Sequence, residues 1–239
     1  MEYHVAPRTE AMEKLENFIA VNRLTAHTRI PSERDLCEMW GINRTTLRFA
    51  VDTLVEYGRL YRVRGSGVYV AESKTVRNIV GVNSMSMEMQ QQGIALTSKI
   101  LSMRVIEATK QVAKKLRTTL GKKVYECIRL RYINSIPCII ETLYLDCETC
   151  PDFDKYYSDR ASMGYIYKNI YHLNQESGEE NISVTYLSAE EAQLMDAKEG
   201  EPAFFTTGFT KTDKGQILEF YQSIFRADIF KMVSVISKD

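Results

Sequence analysis

Arginine and threonine side chains are concentrated in one short stretch, Asn43-Arg44-Thr45-Thr46-Leu47-Arg48. At about 100° per residue on a helix, Arg44, Thr45 and Arg48 lie on one side, away from Leu47. An arginine can bond guanine O6 and N7 as a fork, and a threonine can bond phosphate or touch a thymine methyl group. The pattern favours a helix that reads DNA, although two arginines four residues apart also occur on ordinary solvated helices.

Three helices are predicted to position this stretch. Residues 9–23 follow helical spacing, and Ser32 opens a second helix in which Asp35 can complete a capping box. Gly41 suits a sharp turn with a positive φ angle, and Asn43 can cap the third helix. The predicted buried side chains are Leu36, Met39 and Trp40 in the second helix and Leu47, Ala50, Val51 and Leu54 in the third. Helix-Gly-helix also occurs in many all-α domains, so the turn alone does not specify DNA binding.

A hairpin follows the third helix. Residues 60–63 and 68–70 are β-prone, and Gly65-Ser66-Gly67 between them is a hairpin turn signal. Arg62 and Arg64 flank the turn with positive charge, and glycine at a tip lets the backbone approach a groove closely. The hairpin is typical of a wing, and the whole segment predicts a winged helix-turn-helix.

These residues, taken in order, resemble the GntR family of bacterial repressors over about residues 10–71. The resemblance lies in Ile30-Pro-Ser-Glu-Arg-Asp-Leu36, Gly41-Ile-Asn-Arg-Thr-Thr-Leu-Arg48 and the Gly-rich wing. Phe49 departs from the pattern, because family members more often carry a polar residue there. The resemblance implies DNA contacts from Arg34, Asn43, Arg44, Thr45, Thr46, Arg48, Arg64 and Gly65.

The C-terminal two-thirds predict an α+β domain built on an antiparallel sheet. Strands are expected at 97–106, 124–134, 138–145, 182–187, 203–212 and 217–225, and short helices at 109–118, 162–172 and 189–197. Residues 1–71 are therefore assigned to the winged helix-turn-helix, 72–83 to a linker, and 84–239 to an effector-binding and dimerisation domain.

A weak internal repeat relates two halves of this domain. The stretch from Val105 to Val124 parallels the stretch from Tyr186 to Ala203, and continuing the alignment makes Glu141 and Glu219 equivalent. Two equivalent carboxylates can meet in one central cavity of a pseudo-symmetric sheet. The alternative is that both are exposed strand residues.

The same region resembles the UTRA effector-binding domain over about residues 77–236. This domain defines the HutC subfamily of GntR regulators and is similar to the chorismate lyase fold. The resemblance rests on 85–93, 98–102, 129–131, 140–145 and 218–228. It implies a small anionic metabolite bound by Ser84, Met85, Arg129, Arg131, Glu141, Glu219, Tyr221 and Arg226.

The residue types are consistent with such a ligand. Arg129 and Arg131 are two apart on a strand and share one face. Two guanidinium groups suit a phosphate or carboxylate, and glutamates can accept bonds from sugar hydroxyls. A sugar phosphate is favoured over a small carboxylate, and the alternative is that Arg131 merely pairs with Glu141 across strands. The family often carries Ser-Leu-Tyr at the middle helix, where this chain has Ser162-Met-Gly-Tyr.

Composition limits the remaining classes. The chain has 239 residues, with 31 basic and 31 acidic side chains, so nonspecific coating of nucleic acid is disfavoured. No apolar run approaches the roughly 18 residues of a membrane helix, and the five cysteines suggest reduced thiols in a cytoplasmic protein. Cys147 and Cys150 form a close pair without two further metal ligands, so neither metal nor cofactor is expected.

The preferred hypothesis is a homodimeric, ligand-responsive repressor that binds double-stranded palindromic operator DNA and is released by its effector. Two alternatives stay open. The chorismate lyase-like fold admits an enzyme, although no nucleophile–base pair is evident and no catalytic residue is predicted. A vestigial pocket that serves dimerisation alone is the other.

Overall fold

Two compact units make up the chain, which we describe from a computed structural model covering residues 7–79 and 85–234. The units are Met1–Lys74 and Thr75–Asp239. Their boundary falls inside the predicted linker 72–83, and the last part of that linker lies outside the described residues. None of the described helices is both long and apolar enough to cross a membrane.

The first unit, in its described part, is three helices followed by a two-stranded hairpin. In chain order these are α1 (Pro7–Val21), α2 (Glu33–Trp40), α3 (Arg44–Glu56), β1 (Leu60–Val63) and β2 (Gly67–Val70). The two strands are antiparallel, with Leu60 opposite Val70 and Val63 opposite Gly67. This is the predicted winged helix-turn-helix.

Local sequence chemistry explains where α2 and α3 begin. Ser32 and Asp35 form a reciprocal capping box at the start of α2. Gly41 ends that helix at φ 66°, in the left-handed region that a glycine adopts without strain. Asn43 Oδ1 then accepts a hydrogen bond from the Thr46 backbone N–H at 2.8 Å and caps α3. The turn therefore holds α3 at a defined angle to α2.

The core of the first unit confirms most of the predicted stripe. Leu36, Leu47, Ala50, Val51 and Leu54 are all buried. The prediction for Met39 is wrong, because its side chain is 57% exposed. Trp40 packs on the core as predicted and Cys37 joins it, so the buried side of this two-turn helix is rotated away from Met39.

The second unit contains a six-stranded antiparallel sheet with short helices on both faces. Its described elements are β3 (Thr75–Asn78), α4 (Met85–Gln91), β4 (Leu96–Glu107), α5 (Lys110–Leu116), β5 (Lys123–Ile133), β6 (Ile136–Asp146), α6 (Phe153–Tyr156), α7 (Met163–Asn169), β7 (Gln175–Tyr186), α8 (Ala189–Leu194), β8 (Pro202–Thr212), β9 (Ile217–Arg226) and β10 (Phe230–Val233). The sheet order is β4-β5-β6-β9-β8-β7, and β3 pairs with β10 in a separate parallel ladder.

The sheet order reflects the predicted repeat. Strands β6 and β9 lie side by side at the centre, with Leu143 opposite Tyr221. One half of the sheet is β4-β5-β6 and the other is β7-β8-β9, so β5 flanks β6 as β8 flanks β9, with β4 and β7 at the outer edges. Arg129 lies opposite Glu141 in one half, and Thr210 lies opposite Glu219 in the other. The two glutamates therefore hold corresponding positions.

The two sheet faces differ in polarity. Helices α5 and α8 cover one face with apolar clusters that include Val124, Leu130 and Phe220. The other face has apolar clusters with α6 and α7 at one end and with α4 at the other. Between those two clusters, Arg129, Arg131 and Glu141 line a polar cavity.

Candidate DNA-reading face and effector cavity

The predicted reading side of α3 faces solvent. Arg44, Thr45 and Arg48 are exposed, and Thr46 is half-buried above the buried Leu47. Neither Arg44 nor Arg48 forms an ion pair or a side-chain hydrogen bond within the described residues. Their charges are therefore uncompensated by the protein and available to a polyanion.

Two neighbouring residues are partly committed to the protein itself. Asn43 Oδ1 is occupied by its capping bond, which leaves only the side-chain amide N–H groups free to donate. Arg34, in the first turn of α2, lies 3.7 Å from Glu38 in an exposed ion pair, which is a weak constraint. Both side chains remain at the surface.

The wing divides its arginines between two roles. Arg64 and Gly65 are exposed at the tip, and Gly65 has φ 76°. Arg62 instead donates to Glu33 at 3.0 Å and to Asp52 at 2.6 Å. Arg62 therefore flanks the tip as predicted, but its charge is paired with two carboxylates, and it links the wing to α2 and α3.

Phe49 has a partner that the sequence does not reveal. The Arg8 guanidinium carbon lies 4.3 Å from the centroid of the Phe49 ring, which is cation–π geometry. Phe49 is 42% exposed, one residue after Arg48. An aromatic residue at this position of α3 thus connects it to the start of α1.

A cavity of about 410 Å³ lies in the second unit, on the polar part of the sheet. It brings together six of the residues predicted to bind the effector, which are Met85, Arg129, Arg131, Glu141, Glu219 and Tyr221. Ser84 lies outside the described residues. The two equivalent glutamates share this cavity, and both are largely buried.

Arg226 does not belong with the other six. Its Nη1 donates to the backbone carbonyls of Pro137 at 3.3 Å and Met195 at 2.9 Å, and its Nη2 pairs with Asp228 at 2.6 Å. The Arg226 side chain is absent from the cavity lining in the described residues. These contacts hold the side chain at the end of β9, and the assignment of Arg226 as an effector ligand stays a prediction that the described cavity does not support.

The two strand arginines share one carboxylate unequally. Arg129 bonds Glu141 through Nε and Nη2, whereas Arg131 Nη1 stays 3.8 Å from Glu141. Arg131 Nη2 donates to Ser86 Oγ at 2.6 Å, and its buried Nε has no acceptor among the described residues. Burial, together with repulsion from Arg129, lowers the pKa of Arg131 to about 10. Arg131 is therefore an incompletely compensated buried cation.

Glu219 is a buried carboxyl group without a cationic partner in the described structure. It accepts hydrogen bonds from Tyr167 Oη at 2.6 Å, Thr210 Oγ1 at 3.0 Å and Gln175 Nε2 at 3.2 Å. Burial raises its pKa above the ordinary value for glutamate. Tyr167 reaches it from α7, whereas Ser162 caps that helix by position and does not line the cavity.

Several cavity residues escape prediction from the sequence. The cavity is also lined by Arg77, Ser86, Gln175 and Glu180. Arg77 lies in the predicted linker, and the other three lie where no helix or strand is predicted. Glu180 accepts from Tyr221 Oη at 3.3 Å and lies 3.5 Å from Arg77 Nη2. Only the polar character of 175–181 marks that segment as distinctive, and polarity alone does not separate a cavity wall from a solvated loop.

Gly208 makes room for one of these residues. A Cβ atom at Gly208 would clash with the backbone carbonyl of Glu179 on β7 and would lie 2.5 Å from Tyr221 Oη, well inside van der Waals contact. The glycine on β8 therefore allows the tyrosine of β9 to lie across its neighbour and reach Glu180.

No trio of His, Cys, Asp or Glu side chains in 7–79 and 85–234 is arranged to hold a metal ion.

A winged helix-turn-helix with an uncompensated cationic face, together with a separate domain that holds a polar cavity, defines a class: DNA-binding transcriptional regulators with a small-molecule domain. The family model described as bacterial regulatory proteins, gntR family, matches residues 7–70, and the UTRA domain model matches residues 91–231. The chain belongs to the GntR family of transcriptional regulators, in its HutC subfamily.

Individual relatives agree with this assignment. The chain is 26% identical to the HTH-type transcriptional repressor NagR of Bacillus subtilis over 227 residues, covering 94% of this chain and 92% of NagR. It is 26% identical over 204 residues to a probable fructoselysine utilization operon transcriptional repressor of Escherichia coli O157:H7, covering 84% of each. The crystal structure of PhnF from Mycobacterium smegmatis has the same fold, with a TM-score of 0.71, 21% identity, and coverage of 96% of this chain and 100% of that one.

Family membership decides between two of the sequence-based hypotheses. The family and the relatives are transcriptional regulators, so the chain is a regulator and the enzyme hypothesis is rejected. The resemblance of the second domain to a lyase fold is one of architecture, which does not carry activity.

Proposed function

We propose that the chain is a homodimeric repressor that binds a palindromic operator and leaves it when a small anionic metabolite fills the cavity. Each first unit contacts one half-site through α3 and the wing. The DNA contacts are assigned to Arg34, Asn43, Arg44, Thr45, Thr46, Arg48, Arg64 and Gly65.

The DNA contact rests on unpaired charge. Arg44 and Arg48 project from the first two turns of α3 without a protein acceptor in the described structure, while the nearby Arg62 is neutralised. The start of a recognition helix is the part that meets base edges in helix-turn-helix proteins. Arg64 and Gly65 at the wing tip suit a phosphate or a groove edge.

The effector assignment rests chiefly on Arg131. A cation that is 2% exposed, with one N–H lacking an acceptor, gains a counter-charge when an anion enters the cavity. The Ser86 hydroxyl beside it can donate a further hydrogen bond to the same anion. This geometry favours a phosphate or a carboxylate next to Arg131 and Ser86.

A sugar phosphate fits the rest of the cavity better than a bare carboxylate. Glu141 and Glu219 present carboxylate oxygens to the same space, and such groups accept bonds from sugar hydroxyls. The name of one relative, a probable repressor of fructoselysine utilization, supports a sugar-derived ligand. Small carboxylates remain the second candidate class.

The test starts from operator DNA selected by the full-length chain from a random-sequence duplex pool. Fluorescence anisotropy then follows release of that duplex as glucose 6-phosphate, glucosamine 6-phosphate, gluconate or inorganic phosphate is added. We expect release by a sugar phosphate together with an increase in melting temperature of the free protein. A panel that neither stabilises the protein nor releases DNA would argue for a vestigial cavity that only supports dimerisation.

A further inference from the structure

Arg77 occupies an unusual position in the second unit. It is the third residue of that unit, on β3, and it lines the same cavity as Arg129 and Arg131. Its side chain is largely buried. The chain that precedes β3, from Ala71 to Lys74, has no regular secondary structure and leads directly to the hairpin of the first unit.

The guanidinium of Arg77 is only partly satisfied. Its Nη1 pairs with Glu88 on α4 at 2.8 Å, whereas its Nη2 lies 3.5 Å from Glu180 on β7. The Nε atom is buried and has no hydrogen-bond acceptor in the part of the chain that the structure describes. The Arg77 Nη1 also donates to the backbone carbonyl of Asn78. Arg77 thus has two firm partners, one loose partner and one unused donor.

We propose that Arg77 is an additional effector contact, and that it transmits occupancy of the cavity to the segment joining the two units. The proposal rests on the proposed function and adds a residue and a route to it. An oxygen atom of the bound anion supplies the acceptor that Nε lacks. The guanidinium can turn towards it by giving up the long contact with Glu180 while it keeps Glu88.

The neighbouring contacts allow this rearrangement at little cost. Glu180 also accepts a hydrogen bond from Tyr221 Oη at 3.3 Å, so the carboxylate keeps a partner when Arg77 turns away. Loss of a long, weakly directed contact and gain of a charge-assisted bond to an anion favour the ligand-bound arrangement.

Strand β3 can pass the change along the chain. The Thr75 N–H donates to the Ile229 carbonyl at 2.7 Å, and the Ile79 N–H donates to the Val233 carbonyl at 2.9 Å. With both ends bonded to one neighbouring segment, β3 and β10 respond as a pair when Arg77 is drawn into the cavity. The ligand thereby acts on the residues that join the two units. It shifts operator affinity only to the extent that it binds more tightly to the arrangement with Arg77 turned into the cavity than to the arrangement without ligand.

The experiment compares four variants of the full-length chain with the unmodified protein. Arg77→Met removes the charge, and Arg77→Lys keeps a cation near Glu88 but lacks the Nε–H donor. Arg131→Met tests the cavity itself. Arg104→Met is the matched control, because Arg104 is also a strand arginine ion-paired to a glutamate, Glu126, and lies outside the cavity lining.

Two readouts separate binding from transmission. Thermal shift with glucose 6-phosphate and glucosamine 6-phosphate reports ligand binding, and anisotropy of the selected duplex reports release. For Arg77→Met and Arg77→Lys we expect unchanged operator affinity without ligand, a thermal shift that is smaller but still present, and a release midpoint raised about tenfold or more. For Arg104→Met both readouts should stay within twofold of the unmodified chain.

Each opposite result has a distinct meaning. Release by both Arg77 variants at the unmodified midpoint overturns the role of Arg77, while loss of ligand response in Arg131→Met leaves the proposed function intact. An equal rise in the release midpoint for Arg104→Met also overturns the role of Arg77, because the effect is then not specific to the cavity. Normal release of the duplex from Arg131→Met overturns the cavity assignment. If neither sugar phosphate changes the thermal stability or the DNA binding of the unmodified chain, both proposals are overturned.

Discussion

Arg131 lies two residues from Arg129 on the same face of β5, yet Arg129 alone is closely bonded to Glu141. The carboxylate and burial act in opposite directions on the pair. Burial disfavours the charge on Arg129, but Glu141 more than offsets it and raises the pKa of Arg129, whereas the pKa of Arg131 falls to about 10. The strand therefore contains one neutralised cation and one that lacks a full counter-charge.

Arg131→Met should weaken ligand binding strongly without harming the fold. A charge-assisted hydrogen bond contributes about 1.5–3 kcal/mol, so the apparent ligand affinity should fall by about tenfold to a hundredfold. Replacing a buried, poorly paired charge with an apolar side chain of similar length should leave the melting temperature of the free protein equal or higher. Differential scanning fluorimetry with and without glucose 6-phosphate measures both effects.

The result for Arg131→Met can contradict the proposal in two ways. A normal ligand-induced shift would remove Arg131 from the effector site. A large loss of stability in the free protein would mean that the cation is needed to hold Ser86 and α4 in place, so its charge is already compensated in the folded chain.

Glu219→Gln should stabilise the free protein at neutral pH. Because burial raises the pKa of Glu219, the folded state holds its proton more tightly than the unfolded state. Stability contributed by this group is fully present below the unfolded pKa of about 4.3 and is lost as pH rises from there to the folded pKa. Because a glutamine side chain does not ionise, the stability of the Glu219→Gln variant does not fall in this way as pH rises.

Urea unfolding of the unmodified protein and of Glu219→Gln from pH 5 to pH 8 tests the predicted direction of the pH dependence. The difference in free energy of unfolding should favour Glu219→Gln and should grow with pH until the folded carboxyl group ionises, then stay constant. A difference that shrinks as pH rises would mean that a cation stabilises the ionised carboxylate in the folded protein. Asp213→Asn, at an exposed turn, is a suitable control.

Periodicity and turn chemistry predicted the elements whose signals are local. Ser32, Gly41 and Asn43 mark the helix ends correctly, since each acts on its own backbone within a few residues. Central strands β5 and β9 are apolar and were placed within one or two residues. Strand β7 begins at Gln175 rather than 182, because 175–181 is polar and pairs only by virtue of its neighbour β8.

The candidate site was predictable only in part for the same reason. Arg129 and Arg131 were recognisable by their spacing, and Glu141 and Glu219 by the repeat. Arg77 and Glu180 come from segments 103 residues apart whose association depends on tertiary packing. The contacts of Arg226 were not predictable, because a sequence pattern places a residue on a strand but does not show which carbonyls its side chain meets.

Arg48→Ala should weaken operator binding and leave ligand binding unchanged. Loss of one base contact costs about 1–3 kcal/mol, which is about fivefold to more than a hundredfold in affinity. The matched control is Arg59→Ala, because Arg59 is an exposed arginine of the same unit that pairs with Glu16 at 3.6 Å and lies outside the predicted contacts. Anisotropy titrations at several salt concentrations measure both. Equal losses in the two variants would reflect net charge rather than the reading face.

Gly208→Ala should impair the cavity through Tyr221. The added methyl group would meet the backbone carbonyl of Glu179 on β7, and it would lie 2.5 Å from Tyr221 Oη and 2.7 Å from Tyr221 Cζ. Strand β7 must therefore give way, and the tyrosine must move away from β8 and from Glu180. Overpacking of this kind costs about 1–3 kcal/mol of stability. Because the ring carbon Cζ is obstructed as well as the hydroxyl, Tyr221→Leu, combined with Gly208→Ala, should recover part of that loss but not the ligand response. A double-mutant cycle by urea unfolding measures the coupling, and strictly additive losses would show that the glycine is required by the β7 backbone rather than by Tyr221.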